Sequence, residues 1–191
     1  MLFKRITARL RRALFYAFNR RCFGHLSKSS DVRQLLRIDG KKNIFIHDRV
    51  VIQRQTWLAA EPLTGNACRL TIGNGAVIGH FNHIYATRSV TIEQDVLTAD
   101  KVYISDCTHS YRDVGTPIVR QPVRQLAGVV IGRGAWLGEN VCVIGASVGR
   151  GCVIGANSVV TTDIPDYSVA VGAPAKVVKR YNQETQTWEK I

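Results

Sequence analysis

From Ile72 onward a branched aliphatic residue returns at nearly every sixth position, often followed by glycine and, four positions on, by a small or aliphatic residue. One run holds Ile72, Ile78 and Ile84, the next Ile92, Thr98 and Ile104, and the last Ile131, Leu137, Val143, Val148, Ile154 and Val160. Only the step from Val143 to Val148 is a residue short. A period of six matches neither the 3.6-residue turn of an α-helix nor the two-residue alternation of a hairpin ladder. It matches a parallel β-helix of short strands and tight corners, in which each sixth side chain enters a narrow core and stacks on its equivalent in the next coil. Glycine is expected at the corners for its dihedral freedom. Ile46, Ile52 and Leu58 predict one further, less regular coil upstream. The fold class that follows is an all-β solenoid.

The repeat has an interruption and a preface. Residues 110–130, SYRDVGTPIVRQPVRQLAGVV, break the period with two prolines and two glycines. A long insertion in a solenoid collects on the binding face, so a projecting loop is expected here. At the other end, residues 1–28 hold eight basic side chains (Lys4, Arg5, Arg9, Arg11, Arg12, Arg20, Arg21 and Lys28) and no acidic one, against a net charge of +12 for the whole chain. At 100° per residue, Leu2, Phe3, Ile6, Leu10, Ala13, Leu14 and Ala17 share one helical face, and Lys4, Arg5, Arg9, Arg11 and Arg12 point the other way. Such a basic amphipathic helix suits either an anionic membrane surface or packing on its own protein or a neighbouring subunit. No nucleic-acid-binding signature accompanies it, so no nucleic-acid partner is expected. Five widely spaced cysteines, an odd number without a CxxC pair, and no recognisable leader ahead of them lead to the expectation of a reduced, cytoplasmic compartment, with the inner face of the membrane as a peripheral location. No run of about 18 apolar residues is present to span a bilayer. Three segments are expected: residues 1–28 as a helical preface, 29–176 as the solenoid, and 177–191 as a polar tail.

The stretch IGRGAWLGENVCVIGASVGRGCVIGANSVVTTDIP, followed by VAVGAPAKVVKRY, resembles the hexapeptide-repeat acyltransferases, and within them the sugar and polysaccharide O-acetyltransferases. This resemblance covers residues 70–181. It implies a left-handed parallel β-helix, a homotrimer, acetyl-CoA as the acyl donor, no metal, and a saccharide hydroxyl as acceptor, in a capsule, O-antigen or exopolysaccharide or its precursor. It also implies roles for particular residues. His109, in VYISDCTHSYRD just before the break, takes the place of the catalytic base, which a sugar hydroxyl needs because it is a poor nucleophile at neutral pH. The backbone amide of Glu139, after the Trp136-Leu137-Gly138 motif, takes that of the oxyanion donor. Asn82, His83, Asp106, Tyr111 and Arg112 fall where the acceptor would lie, with Asn82 open to a second use as a corner amide and Asp106 or Asp113 as a partner for His109. Trp136, Gly138, Ala156, Ser158, Thr161, Lys176 and Arg180 fall along the path of coenzyme A, the last two as cations for its phosphates. Some relatives of this fold bind zinc through three histidines, but the spacing of His80, His83 and His109 does not match theirs. His25 and His47 are expected on the surface. Transfer to a nucleotide-linked amino sugar or a xenobiotic, and a solenoid scaffold without catalysis, stand as alternatives.

Overall fold

The computed structural model describes residues 2–65 and 67–191, and side chains from residue 9 onward. Leu2, Phe3, Lys4, Arg5 and Ile6, assigned above to the two faces of the helix, therefore have side chains outside the described residues. Helix α1 runs Leu2–Asn19, and everything after it is short strands and turns apart from two brief 3-10 turns. The strands stack in three parallel sheets around one core. Sheet 1 takes His25–Leu26, Ile44–Ile46, Arg69–Ile72, Ser89–Ile92 and Val129–Ile131. Sheet 2 takes Asp31–Val32, Val51–Ile52, Val77–Ile78, Leu97–Thr98, Trp136–Leu137, Val153–Ile154 and Ser168–Val171. Sheet 3 takes Arg37–Asp39, Trp57–Ala60, His83–Ala86, Tyr103–Ser105, Cys142–Ile144 and Val159–Val160. Each coil visits the sheets in the order 1, 2, 3, so a residue on one strand lies beside its equivalent in the next coil.

The register shows what the period of six is for. On sheet 1 Leu26, Ile46, Ile72, Ile92 and Ile131 follow one another across the strands, continued by single bridges to Val148 and Ile164. On sheet 3 the column is Ile38, Leu58, Ile84, Ile104, Val143 and Val160. Every one of the repeat positions from Ile72 to Val160 is buried. Two complete coils precede Ile72 rather than one, because Leu26, Val32 and Ile38 keep the same spacing inside the basic segment and its sequel.

Glycine's part in the repeat differs from the expectation. The glycine after each aliphatic residue is needed for close approach of coils: a Cβ at Gly138 would come within 2.7 Å of the Ala156 nitrogen, and one at Gly79 within 2.2 Å of the Ala99 oxygen. The left-handed corner conformations fall elsewhere, on Gly75 and Gly134 at one corner and on Gln55, Phe81, Lys101, Asn140 and Asn157 at another. The last five carry side chains in a conformation disfavoured for them, which the stacked hydrogen bonds of the corner hold in place.

The segment limits shift as well. Coils begin at His25, upstream of the expected limit at 29. After Ser168–Val171 the chain reverses, and Lys176–Asn182 and Thr187–Lys190 add two antiparallel strands to sheet 2, so residues 177–191 form a hairpin rather than a loose tail. The insertion leaves the coils at Cys107, and the coils resume at Val129, inside the expected loop. A core column of this kind predicts that Ile104→Ala costs about 2–5 kcal/mol of unfolding free energy, read from urea melts. A change well under 1 kcal/mol would mean that the column does not bear the load.

Candidate active site

The insertion opens as a two-stranded arm, Cys107–His109 against Val123–Gln125, with His109 opposite Val123. Its root is Asp106, which is completely buried. The Asp106 carboxylate accepts hydrogen bonds from the Thr87 amide at 2.8 Å, the Thr87 hydroxyl at 2.9 Å, the Arg88 amide at 2.8 Å and the Ser89 amide at 2.7 Å. Its backbone carbonyl accepts from the Gln125 side chain at 2.7 Å and from the Leu126 amide at 2.9 Å. A buried carboxylate with this many donors is a clamp between the corner of one coil and both legs of the arm. Asp106 is therefore no acceptor contact and no partner of His109. Asp113 is spent on a turn, accepting from the Gly115 amide and the Thr116 hydroxyl, which hold its carboxyl below the usual range.

His109 is exposed at the end of the first arm strand and lines a cleft of about 290 Å³. The other walls are Trp57, Leu63, His83, Tyr85, Tyr103, Cys107, Thr108 and Val123. Three of these belong to one outward column of sheet 3, since Trp57 pairs with His83 and His83 with Tyr103. The Trp57 and His83 rings stack at 4.0 Å and 7°, while Tyr103 meets His83 edge-on at 5.2 Å. Trp57 is fixed from behind: its indole N–H donates to Asp39 at 2.8 Å, and Arg37, paired with Asp39, lies 5.0 Å from the ring centre.

The cleft walls carry little charge. Burial disfavours the imidazolium of His83 and lowers its pKa, and its Nε2 is buried with no hydrogen-bond partner among the described residues. Burial raises the pKa of Tyr85 and Tyr103 and of the Cys107 thiol, which keeps all three protonated. The result is an apolar, aromatic-walled pocket with polar edges and one exposed imidazole at its rim.

The remaining expected residues divide. Asn82 is 1% exposed, and its amide donates to the Ala99 and His80 carbonyls and accepts from the Thr98 hydroxyl, so it is a corner amide and not an acceptor contact. Tyr111 and Arg112 are exposed on the insertion beyond His109 and do not line the cleft. His80 turns to Asp100 at 3.3 Å on a corner and is absent from the cleft that His83 and His109 share.

Trp136, Gly138, Glu139 and Ala156 gather at the corner between sheets 2 and 3, with Gly138 directly beneath Ala156. The Glu139 carbonyl accepts from Asn157 at 2.8 Å and its carboxylate pairs with Lys101 at 2.9 Å, while its own N–H has no partner among the described residues. Lys176 stands opposite Val171, beside the turn that tops this corner. Ser158 departs from its expected role: it is fully buried and its hydroxyl accepts from the Gly172 amide. Thr161 lies past the far end of sheet 3, and Arg180 pairs with Ser168 at the other end of the last coil strand. Glu139 does not line the cleft of His109.

Residues 128–162 match the protein family described as "Hexapeptide repeat of succinyl-transferase". The chain is a hexapeptide-repeat left-handed β-helix. It is 45% identical over 120 residues to the "Putative lipopolysaccharide biosynthesis O-acetyl transferase WbbJ" of Escherichia coli (strain K12), a match covering 59% of this chain and 61% of that relative, less than two thirds of its length. The fold is shared with AntD, an N-acyltransferase from Bacillus cereus solved with dTDP and 3-hydroxybutyryl-CoA, at a TM-score of 0.73, 16% identity and coverage of 88% and 89% of the two chains. It is also shared with the acetyltransferase VCA0836 of Vibrio cholerae O1 biovar eltor, solved with acetyl-CoA, at a TM-score of 0.61, 22% identity and coverage of 93% and 85%.

The cleft aromatics Trp57, Tyr85 and Tyr103 were missed by motif, yet a signal existed: Trp57 and Tyr103, like His83, each precede a core aliphatic residue by one position, so they point outward in one column. The state of His83 predicts a pH effect. The folded chain holds it neutral while the unfolded chain protonates it near pH ~6.5, so acidification below that value favours unfolding. Urea melts at about pH 7.5 and about 5.5 should show lower stability at the acid pH, with a smaller drop in His83→Phe, which keeps the stack on Trp57. An equal drop in both proteins would contradict the buried, neutral assignment.

Proposed function

We propose that this chain is a cytoplasmic, homotrimeric O-acetyltransferase that moves acetyl from acetyl-CoA to a sugar hydroxyl of a bacterial surface polysaccharide or its precursor. The observation that carries this is one exposed imidazole, His109, held by a buried clamp at the rim of an uncharged, aromatic-walled cleft. Aromatic and apolar walls suit the C–H faces of a sugar ring. The likeness to a relative named for O-acetyl transfer in lipopolysaccharide biosynthesis, and to a neighbour solved with acetyl-CoA, supports both substrates.

The corner residues fit the donor. Trp136 and Ala156 are exposed on successive coils and offer an extended chain a surface to lie on, Lys176 supplies positive charge for phosphates, and the Glu139 N–H is free to donate. Glu139 lies outside the cleft of its own chain, so the proposed trimer is what would bring base and oxyanion donor together, the cleft of one copy facing the corner of the next. There the His109 imidazole takes the hydroxyl proton as the oxygen attacks the thioester carbonyl. The Glu139 amide receives the negative charge that develops on the carbonyl oxygen. Collapse breaks the C–S bond, and the leaving CoA thiolate regains the proton from the imidazolium.

His109→Ala should lower saccharide-dependent thiol release from acetyl-CoA by a factor on the order of 10² to 10⁴ while leaving acetyl-CoA binding by calorimetry unchanged. Turnover within about tenfold of the unaltered chain would remove His109 from the role of base.

A further inference from the structure

Helix α1 sits on the solenoid through a face that combines two arginines with two aromatic rings. Arg11 forks onto the Asp31 carboxylate at 2.7 and 2.9 Å, and Arg12 reaches the Ser29 carbonyl at 3.5 Å. Lys41 donates to the Asn19 side chain at 3.1 Å, and Phe15 and Tyr16 pack against the core cluster. Residues 11, 12, 15, 16 and 19 thus form the face that meets the body. The opposite face is apolar and open: Leu10 is 58% exposed, Leu14 48% and Phe18 79%, with Ala13 and Ala17 exposed between them. The helix therefore carries a second apolar stripe besides the aromatic pair it turns to the core, where a surface helix has one. Isolated surface leucines need no explanation, but three large apolar residues at successive turns of one helix do.

The surroundings say what covers that stripe. Arg9 lies on the helix beside it and Arg20 and Arg21 follow the helix directly, all three exposed, and no acidic residue occurs from Met1 to Lys28. A second copy laid on the stripe would bring the same uncompensated positive charge into the contact, which is unfavourable. An anionic lipid surface supplies both an apolar interior and compensating phosphates, with each basic residue near it contributing about 1 kcal/mol.

We infer that α1 docks this protein on an anionic bilayer, with Leu10, Leu14 and Phe18 entering the boundary between headgroups and acyl chains while Arg9, Arg20 and Arg21 lie among the lipid phosphates. The helix lies in the plane of the surface and does not cross: no described helix is long and apolar enough to do so. The inference is independent of the proposed acetyl transfer, because it concerns a surface that none of the transfer residues shares.

The test is co-sedimentation of the full-length protein with vesicles of phosphatidylcholine alone and of phosphatidylcholine with about one third phosphatidylglycerol, at low and near-physiological salt. The expected result is binding to the anionic vesicles, weakened by salt, with little binding to the neutral ones. The triple variant Leu10→Gln, Leu14→Gln, Phe18→Gln should bind the anionic vesicles at least tenfold more weakly while keeping its circular dichroism spectrum and its mass by light scattering. Absence of binding to anionic vesicles overturns the inference, as does equal binding to both vesicle types. A triple variant whose assembly falls apart to smaller species would assign the stripe to a contact between copies instead.

Discussion

Everything in this molecule depends on coils lying close enough for backbone to hydrogen-bond backbone while one aliphatic side chain per strand stacks on the next. Columns such as Ile84, Ile104 and Val143 are fully buried because the triangular section has no room for water, and the spacing between them is set by the strand ladder. Glycines such as Gly79 and Gly138 are the sites where that approach is tightest, since any side chain there would collide with the backbone of the next coil. Each coil contacts its neighbours alone, so a corner or outward position on one coil is held rigidly above its equivalent on the previous one. That stacking is what turns isolated residues into surfaces. Trp57, His83 and Tyr103 become one wall.

The site is made where this regularity is broken. The arm from Cys107 to Gln125 departs from the three sheets between successive coils, and its direction is fixed by a buried carboxylate rather than by packing alone. Burying Asp106 is tolerable because four donors and a well-made corner surround it. The consequence is a loop that projects from the body yet presents His109 at a defined place. The walls it faces are kept neutral by burial, which raises the phenol and thiol pKa values and lowers that of His83. An imidazole beside such walls meets a substrate partly shielded from water, where proton transfer and charge stabilisation count for more.

The solenoid was legible because a period of six has few physical solutions. The first coil is harder to read, because Leu26, Val32 and Ile38 keep the period without the directly following glycine that marks many of the later repeats. The place of His109 at the break could be read from the chain, as could the corner holding Glu139. Which polar residues face solvent could not: Asn82, Asp106 and Ser158 are as polar as any ligand-binding residue, and only the stacking of coils shows that their hydrogen bonds are spent inside the corners. The direction of α1 was equally hidden, since an amphipathic pattern fixes two faces but not which one a body with Asp31 at its first coil will attract.

The central claim, acetyl transfer to oxygen at an uncharged sugar-binding cleft, is tested most directly by the bond that forms. The purified protein would be incubated with acetyl-CoA carrying a labelled acetyl group and a panel of bacterial surface saccharides and their lipid-linked or nucleotide-linked precursors, and the labelled product treated with mild alkali. An O-acetyl ester releases its label under these conditions, and that release is the predicted result. Label that stays bound as an amide, or no transfer to any saccharide despite binding of acetyl-CoA, would contradict the account.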